Sequence, residues 1–304
     1  MRALASPASL KGVLRAGEAA AALAEGFRAA GVEVEEQPVA DGGEGTARVL
    51  GATLREVVEV PDAFGRPHEA AIWRLPDGTA AVESAGAVPL DPRRLEPLEA
   101  SSRGLGELIA HVEASELLVC LGGTANVDGG AGMRAVLGEL PAPTTVLCDA
   151  QVPLLDAARL FGPQKGASPE QIQLLEQRLA AMEELAPYAD LPGAGAAGGL
   201  GAALAFLGAQ LVPGAEYVLE RLRLRERARE VDLVVTGEGT VDRTTTEGKA
   251  PGEVARICRE EGVRCVVFGG RVVEPVPDAE VRELSGDPAR AREDLVLLAR
   301  ELAS

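Results

Sequence analysis

Lysine occurs three times in this chain against 27 arginines, and every lysine touches a glycine: Lys11-Gly12, Lys165-Gly166 and Gly248-Lys249. Where a sequence otherwise selects arginine, a lysine beside flexible backbone suggests a site that wants a compact ammonium charge. The single asparagine, Asn126, stands in the glycine-rich segment GGTANVDGGAG at 122–132. Two other glycine-rich segments carry acids, ADGGEGT at 40–46 and TGEGTVDRTTTEGKAP at 236–251. In the first, Gly42 and Gly43 let backbone N–H groups approach an anion, while Asp41 and Glu44 can coordinate a cation or orient a hydroxyl. The last follows an apolar run and ends with Lys249 beside a helix N-terminus, a natural anion position. The segment at 122–132 places Gly122, Gly123, Thr124, Asn126, Asp128, Gly129 and Gly130 at the carboxyl end of a strand, where α/β proteins bind ligands. Any one of these segments alone reads as an ordinary connection. Their number argues for a shared site.

The remaining residues narrow the chemistry. With only His68 and His111, and no Gly-x-Ser-x-Gly, a nucleophile–histidine triad is hard to assemble, and both histidines read as structural. Cys120, Cys148, Cys258 and Cys265 form no Cys-x-x-Cys pair and read as buried thiols. Carboxylates and a hard, oxygen-ligated cation such as Mg²⁺ are left. Phosphoryl transfer suits that inventory, because its catalysis is mostly positioning and charge neutralisation. No lysine completes a Walker A sequence, so a nucleotide would need another architecture. GAGAAG at 193–198 fits the Gly-x-Gly-x-x-Gly pattern, but Leu191-Pro192 precedes it where a strand should stand. It reads as a tight loop opening a helix, and an NAD-linked dehydrogenase would rest on it alone.

The elements that position these residues follow from periodicity. A helix over about 14–30 closes at Gly31, and Val32–Val39 alternates like a strand. Runs at 53–60 and 68–75, the second turning at Asp77-Gly78 into Thr79–Glu83, break the βαβ rhythm and mark a second domain. Helices are expected at 102–114, at 169–186 with Ser168 as N-cap, within 215–229, from Pro251 to Gly262 and over 288–302. Buried strands are expected at Leu117–Leu121, Thr144–Cys148, Asp232–Thr236 and Val263–Phe268, the last two forming a parallel βαβ unit. Of the 304 residues 46% are apolar, enough to bury a sizeable core in one large or two medium domains. The net charge of −17 disfavours nucleic acid and anionic membrane surfaces. No apolar run approaches the ~18 residues of a membrane span, and no secretory signal opens the sequence, so a cytoplasmic location is expected. Scarcity of asparagine also fits a thermophilic source.

Taken together, these segments resemble the bacterial glycerate kinase type-1 family, which phosphorylates D-glycerate with ATP and Mg²⁺. The matching pieces are SPASLKG at 6–12, ADGGEGT at 40–46, the 122–133 loop, FGPQKGA at 161–167, LPGAGAAGGLG at 191–201, and TGEG with Asp242 and Gly248-Lys249 at 236–249. The resemblance implies a two-domain α/β fold: a Rossmann-like or flavodoxin-like three-layer sandwich over 1–60 and 230–304, an α/β domain inserted at 61–229, and an active site in the cleft between them. It implies ATP and Mg²⁺ as cofactors, D-glycerate as substrate and 2-phosphoglycerate as product, with neither nucleic acid nor membrane as partner and homodimerisation left open.

On this reading Lys11, Asp41, Asp128, Glu238, Asp242 and Lys249 are the catalytic candidates. The two lysines neutralise phosphate or carboxylate. The four acids coordinate metal or align the attacking hydroxyl, with Asp41, Asp128 and Asp242 as the metal set. Ser9, Lys165, Gly198, Gly199 and Gly237 join the glycine loops and Glu44 as the substrate and phosphate contacts. The chain departs from the family at Ala8, where an aspartate is usual, at Leu10 in place of an aromatic, and at Thr240 in place of an arginine. Losing an acid and a base together suggests a lost ion pair. Alternatives are a catalytically weak ligand-binding or regulatory relative, or a kinase for another small hydroxy acid.

Overall fold

Two separate sheets organise the computed structural model, which describes residues 1–277 and 279–304. In chain order the strands are β1 (Arg2–Ala5), β2 (Glu33–Glu36), β3 (Thr53–Pro61), β4 (Pro67–Arg74), β5 (Ala80–Glu83), β6 (Leu117–Leu121), β7 (Thr144–Cys148), β8 (Gln210–Pro213), β9 (Leu233–Val241), β10 (Arg264–Val272) and β11 (Glu280–Glu283). The first sheet runs β11-β10-β9-β1-β2, parallel throughout. That is the flavodoxin-like order, and its topological switch point lies between β1 and β9.

Alternation along these strands explains why helices cover both faces. Ala3, Ala5, Leu233, Val235, Val266 and Phe268 pack on Leu23 and Phe27 of helix Ala16–Ala29 and on Leu295 and Leu298 of helix Ala291–Leu302. The residues between them, Leu4 and Val234, point the other way. They pack on Leu219 of helix Gly214–Arg221, Leu224 of helix Leu224–Ala228, and Val254 and Ile257 of helix Ala250–Glu261. The result is a three-layer sandwich.

The second sheet runs β3-β4-β5-β6-β7-β8, antiparallel across β3, β4 and β5 and parallel from β5 to β8. Ile72, Val82, Val119, Leu121 and Val146 meet Leu105, Leu108 and Ile109 of helix Arg103–Ala110 and Leu200, Ala203 and Leu204 of helix Ala196–Phe206. Among the described residues no helix is long and apolar enough to cross a membrane.

The chain divides into two compact units, Met1–Asp41 with Ala215–Ser304, and Gly42–Gly214. These boundaries differ from the sequence expectation near 60 and 230. β3 is claimed by the second unit because it pairs with β4 from Thr53 to Pro61. The helices of 214–228 fall to the first because they share an apolar cluster with helix Ala250–Glu261. A larger correction concerns TGEG: β9 does not stop at Thr236 but carries Gly237, Glu238, Gly239 and Thr240 as strand, paired with β10 as far as Val272. β8 and β11 were not anticipated, being short, half-polar edges without a clean alternation. The helix expected at 169–186 ends at Ala180, and a 3₁₀ segment containing Pro187 follows at Glu183–Tyr188.

Candidate active site

In the first unit, candidate residues gather at the carboxyl ends of β1 and β9, on either side of the switch point. The segment after β1 continues along β9, with Ser6 N–H donating to the Val235 carbonyl at 2.8 Å and Ala8 N–H to that of Gly237 at 2.9 Å. The extended β9 then presents Glu238. Its carboxylate accepts from Lys249 Nζ at 3.1 Å through one oxygen and from Thr245 Oγ1 at 2.8 Å through the other. Asp41 Oδ1 accepts from the Ala250 N–H at 2.6 Å, at the first turn of helix Ala250–Glu261. Burial raises the Asp41 carboxyl above the usual carboxylate range, against the pull of the Ala250 N–H and Lys249. Burial also raises Glu238, outweighing Lys249 and Thr245, and the nearby Asp41 charge adds to the rise. Asp242 behaves differently. The Thr244 hydroxyl and N–H both donate to its Oδ1, at 2.5 and 2.9 Å, and these bonds with the Lys249 charge hold its carboxyl low despite partial burial. One ammonium, Lys249, is thus shared by the fields of three carboxylates.

Lys11 and Ser9 are exposed on the turn after β1. Lys11 makes no hydrogen bond or ion pair with the described residues, and a Cβ on Gly239 would lie 3.6 Å from its backbone nitrogen. Ala8 is buried at 6% exposure, whereas Thr240 is exposed.

The second unit holds a separate cluster at the carboxyl ends of its parallel strands. Lys165 is 3% exposed, and its Nζ donates to the Asn126 carbonyl at 2.7 Å and Thr124 Oγ1 at 3.4 Å. Burial lowers its pKa to about 8, opposed by the charges of Asp149 and Asp128. Asp128 Oδ2 accepts from Ser102 N–H, Ser102 Oγ and Gly132 N–H at 2.8, 2.8 and 3.1 Å. Its Oδ1 accepts from Asn126 Nδ2 and Gly130 N–H at 3.0 and 3.1 Å. Asn126 also donates to the Ala197 carbonyl at 3.2 Å, and its Oδ1 is buried without a hydrogen bond. The run at 197–199 is left-handed, and a Cβ on Gly198 would sit 2.1 Å from the Asn126 carbonyl oxygen. The GAGAAG segment therefore packs onto the 126–129 loop. It follows no strand, which removes the dinucleotide reading.

The Gly42–Thr46 segment is anchored in this unit as well. Glu83 at the end of β5 accepts from the Ala47 N–H at 2.9 Å, and burial raises its pKa with Glu44 adding to the rise. Ser84 Oγ donates to the Gly122 carbonyl and accepts from its N–H, both at 3.1 Å. Asp149, directly after β7, lies against Gly122, where a Cβ would come 2.6 Å from its Oδ2.

The structure thus joins Asp41, Glu238, Asp242 and Lys249 in one unit. It joins Gly42, Gly43, Glu44, Gly122, Gly123, Thr124, Asn126, Asp128, Gly129, Gly130, Lys165, Gly198 and Gly199 in the other. Asp128 spends both oxygens inside its own loop, Asp242 caps the 243–246 turn, and no group of three His, Cys, Asp or Glu among the described residues could hold a metal ion. Glu83, Ser84, Thr245 and Asp149 escaped the sequence reading. Glu83-Ser84 and Asp149 bore the same positional sign as Gly122, a polar group directly after an apolar strand.

The family model described as the glycerate kinase family matches residues 3–142 and 141–286. The glycerate kinase of Bacillus subtilis (strain 168) is 34% identical, over 90% of this chain and 85% of its own length. The glycerate 2-kinase of Escherichia coli (strain K12) is 35% identical, over 91% and 87%. A crystal structure of a protein assigned as glycerate kinase 2 from Salmonella typhimurium LT2 superposes with a TM-score of 0.79 at 32% identity, covering 100% of this chain and 97% of the other.

Proposed function

Because this chain belongs to the glycerate kinase family, we propose that it transfers a phosphoryl group from ATP to D-glycerate, giving 2-phosphoglycerate, in the cytoplasm. The observation that carries the reading is the Lys249 ammonium, 3.1 Å from Glu238 and in the field of Asp41, at the carboxyl ends of the switch-point strands. Phosphoryl transfer asks for a fixed cation where charge accumulates and a carboxylate whose proton affinity is raised above the ordinary range. Lys249 supplies the first. Glu238 and Thr245 position it.

Asp41 supplies the second. Its Oδ1 is held by the helix N-terminus while Oδ2 makes no hydrogen bond with the described residues, so Oδ2 is the atom to receive the hydroxyl proton of glycerate. ATP supplies the phosphoryl group and leaves as ADP. Mg²⁺ takes one or two carboxylates and otherwise water and phosphate oxygens. Asp128 spends both oxygens inside its own loop, so Mg²⁺ would be held chiefly by water and phosphate oxygens, with Asp41 Oδ2 kept for the proton.

The test is ADP release from purified protein with ATP, Mg²⁺ and D-glycerate, with the product passed to enolase, which consumes 2-phosphoglycerate directly. We expect D-glycerate-dependent ADP release and enolase turnover without added mutase. Enolase turnover only after mutase addition would assign the 3-hydroxyl instead. ADP release with a different hydroxy acid alone would redirect the substrate. No turnover above the blank with any hydroxy acid, alongside measurable ATP binding, would leave a ligand-binding relative.

A further inference from the structure

Beyond Glu238 the strands β9 and β10 stay in register, Gly269 opposite Glu238, Arg271 opposite Thr240 and Val272 opposite Val241. Neighbouring strands lie about 4.8 Å apart, so a long side chain on Arg271 serves the same strand end as one on residue 240. Glycines surround the position. A Cβ on Gly270 would lie 2.8 Å from the Gly239 carbonyl oxygen, and one on Gly237 2.2 Å from that of Phe268. Among these glycines the side chains offered at the strand end are Glu238, Thr240 and Arg271.

Arg271 is exposed, and its side chain makes no hydrogen bond or ion pair with the described residues. That sets it apart from its neighbours. Arg264 on the same strand is paired with Glu280, as is Arg282 on β11; Arg256 is paired with Glu253, and Arg225 and Arg229 with Glu261. A chain of net charge −17 has carboxylates to spare for neutralising a cation. Here one stands without a partner among the described residues, at the carboxyl end of the sheet where ligands of this fold bind.

We propose that Arg271 binds a phosphate group of the nucleotide. It thereby takes the place of the arginine that resembling sequences carry at position 240 and this chain replaces with Thr240. A planar guanidinium matches phosphate oxygens in a bidentate fashion, and it reaches the same anion from either of two registered positions on adjacent strands. The inference rests on the kinase reading of this strand end, and its test separates the two.

ADP binding is measured by calorimetry, and melting temperature and kcat/KM are measured alongside, for wild type, Arg271→Ala, Arg271→Lys and Arg271→Ala with Thr240→Arg. We expect Arg271→Ala to weaken ADP binding at least tenfold with an unchanged melting temperature, Arg271→Lys to fall between, and Thr240→Arg to restore most of the loss. Affinity for D-glycerate should not move. Wild-type ADP affinity in Arg271→Ala, or a loss confined to D-glycerate, overturns the proposal while leaving the kinase reading intact. A protein that binds ADP through Arg271 but releases none with D-glycerate overturns the kinase reading and keeps the proposal. Absence of ADP binding by wild type overturns both.

Discussion

Lys165 is where composition and structure part company most clearly. Its rarity marks it as special, and a phosphate contact is the natural reading of a lone loop lysine. The structure instead buries it, with Nζ spent on the Asn126 carbonyl and the Thr124 hydroxyl. No sequence pattern reports that burial, because it depends on segments that meet only in the folded unit. Lys249 stands out in the sequence because it lies between Gly248 and the helix start at Ala250, and Asp41 because it precedes Gly42-Gly43, and both are local contexts that folding does not change.

The burial of Lys165 has a measurable consequence. Its pKa is about 8 in the folded chain against 10.5 for an ordinary lysine. Between those values the unfolded chain binds the extra proton, so stability rises with pH across that window. The gain is of the order of 3 kcal/mol. Lys165→Met has no such group, so its urea midpoint should stay flatter from pH 7 to 10 while the wild type gains on it. Parallel pH dependences would show that Lys165 keeps an ordinary pKa. The substitution also leaves the Asn126 carbonyl and the Thr124 hydroxyl without their donor, which lowers stability at every pH and leaves the pH slope as the readout.

Among the elements, the continuous apolar strands were the easiest to read: β6 and β7 fall where the runs Leu117–Leu121 and Thr144–Cys148 place them. The extension of β9 was not, since Gly-Glu-Gly has the composition of a turn and becomes strand only because β10 continues beside it. Glycine marks close approach there, as it does in the left-handed turn at 197–199. Gly198→Ala must place a methyl 2.1 Å from the Asn126 carbonyl oxygen at a φ of +73°. The backbone term alone costs about 1–2 kcal/mol. We expect a melting temperature lowered by several degrees, with the clash displacing the Asn126 carbonyl from Lys165. An unchanged melting temperature would show that the 196–199 turn adapts without loss.

At the scale of the whole molecule, the division into two units was visible as a break in βαβ rhythm, but its boundaries were not, because they depend on which sheet β3 joins and which helix 214–228 packs upon. Within the first unit, Val39 and Ala215 share one apolar cluster, so the ends that flank the second unit are already neighbours. Within the second, a Cβ on Gly42 would come 2.6 Å from the Gly214 Cα, so its own ends touch. Replacing 42–214 with a short glycine–serine linker should therefore leave a chain that melts cooperatively with α/β circular dichroism. A non-cooperative melt would show that the first unit cannot stand alone. The same connectivity orders events on the ribosome. β1 pairs with β9, Ala3 in register with Leu233, so the opening strand and its helix emerge long before their partner exists. The inserted unit has all its strands once residue 213 is made. Its folding can therefore precede completion of the sheet it interrupts, leaving the Ala-rich amino-terminal segment as the part of the nascent chain that waits longest for cover.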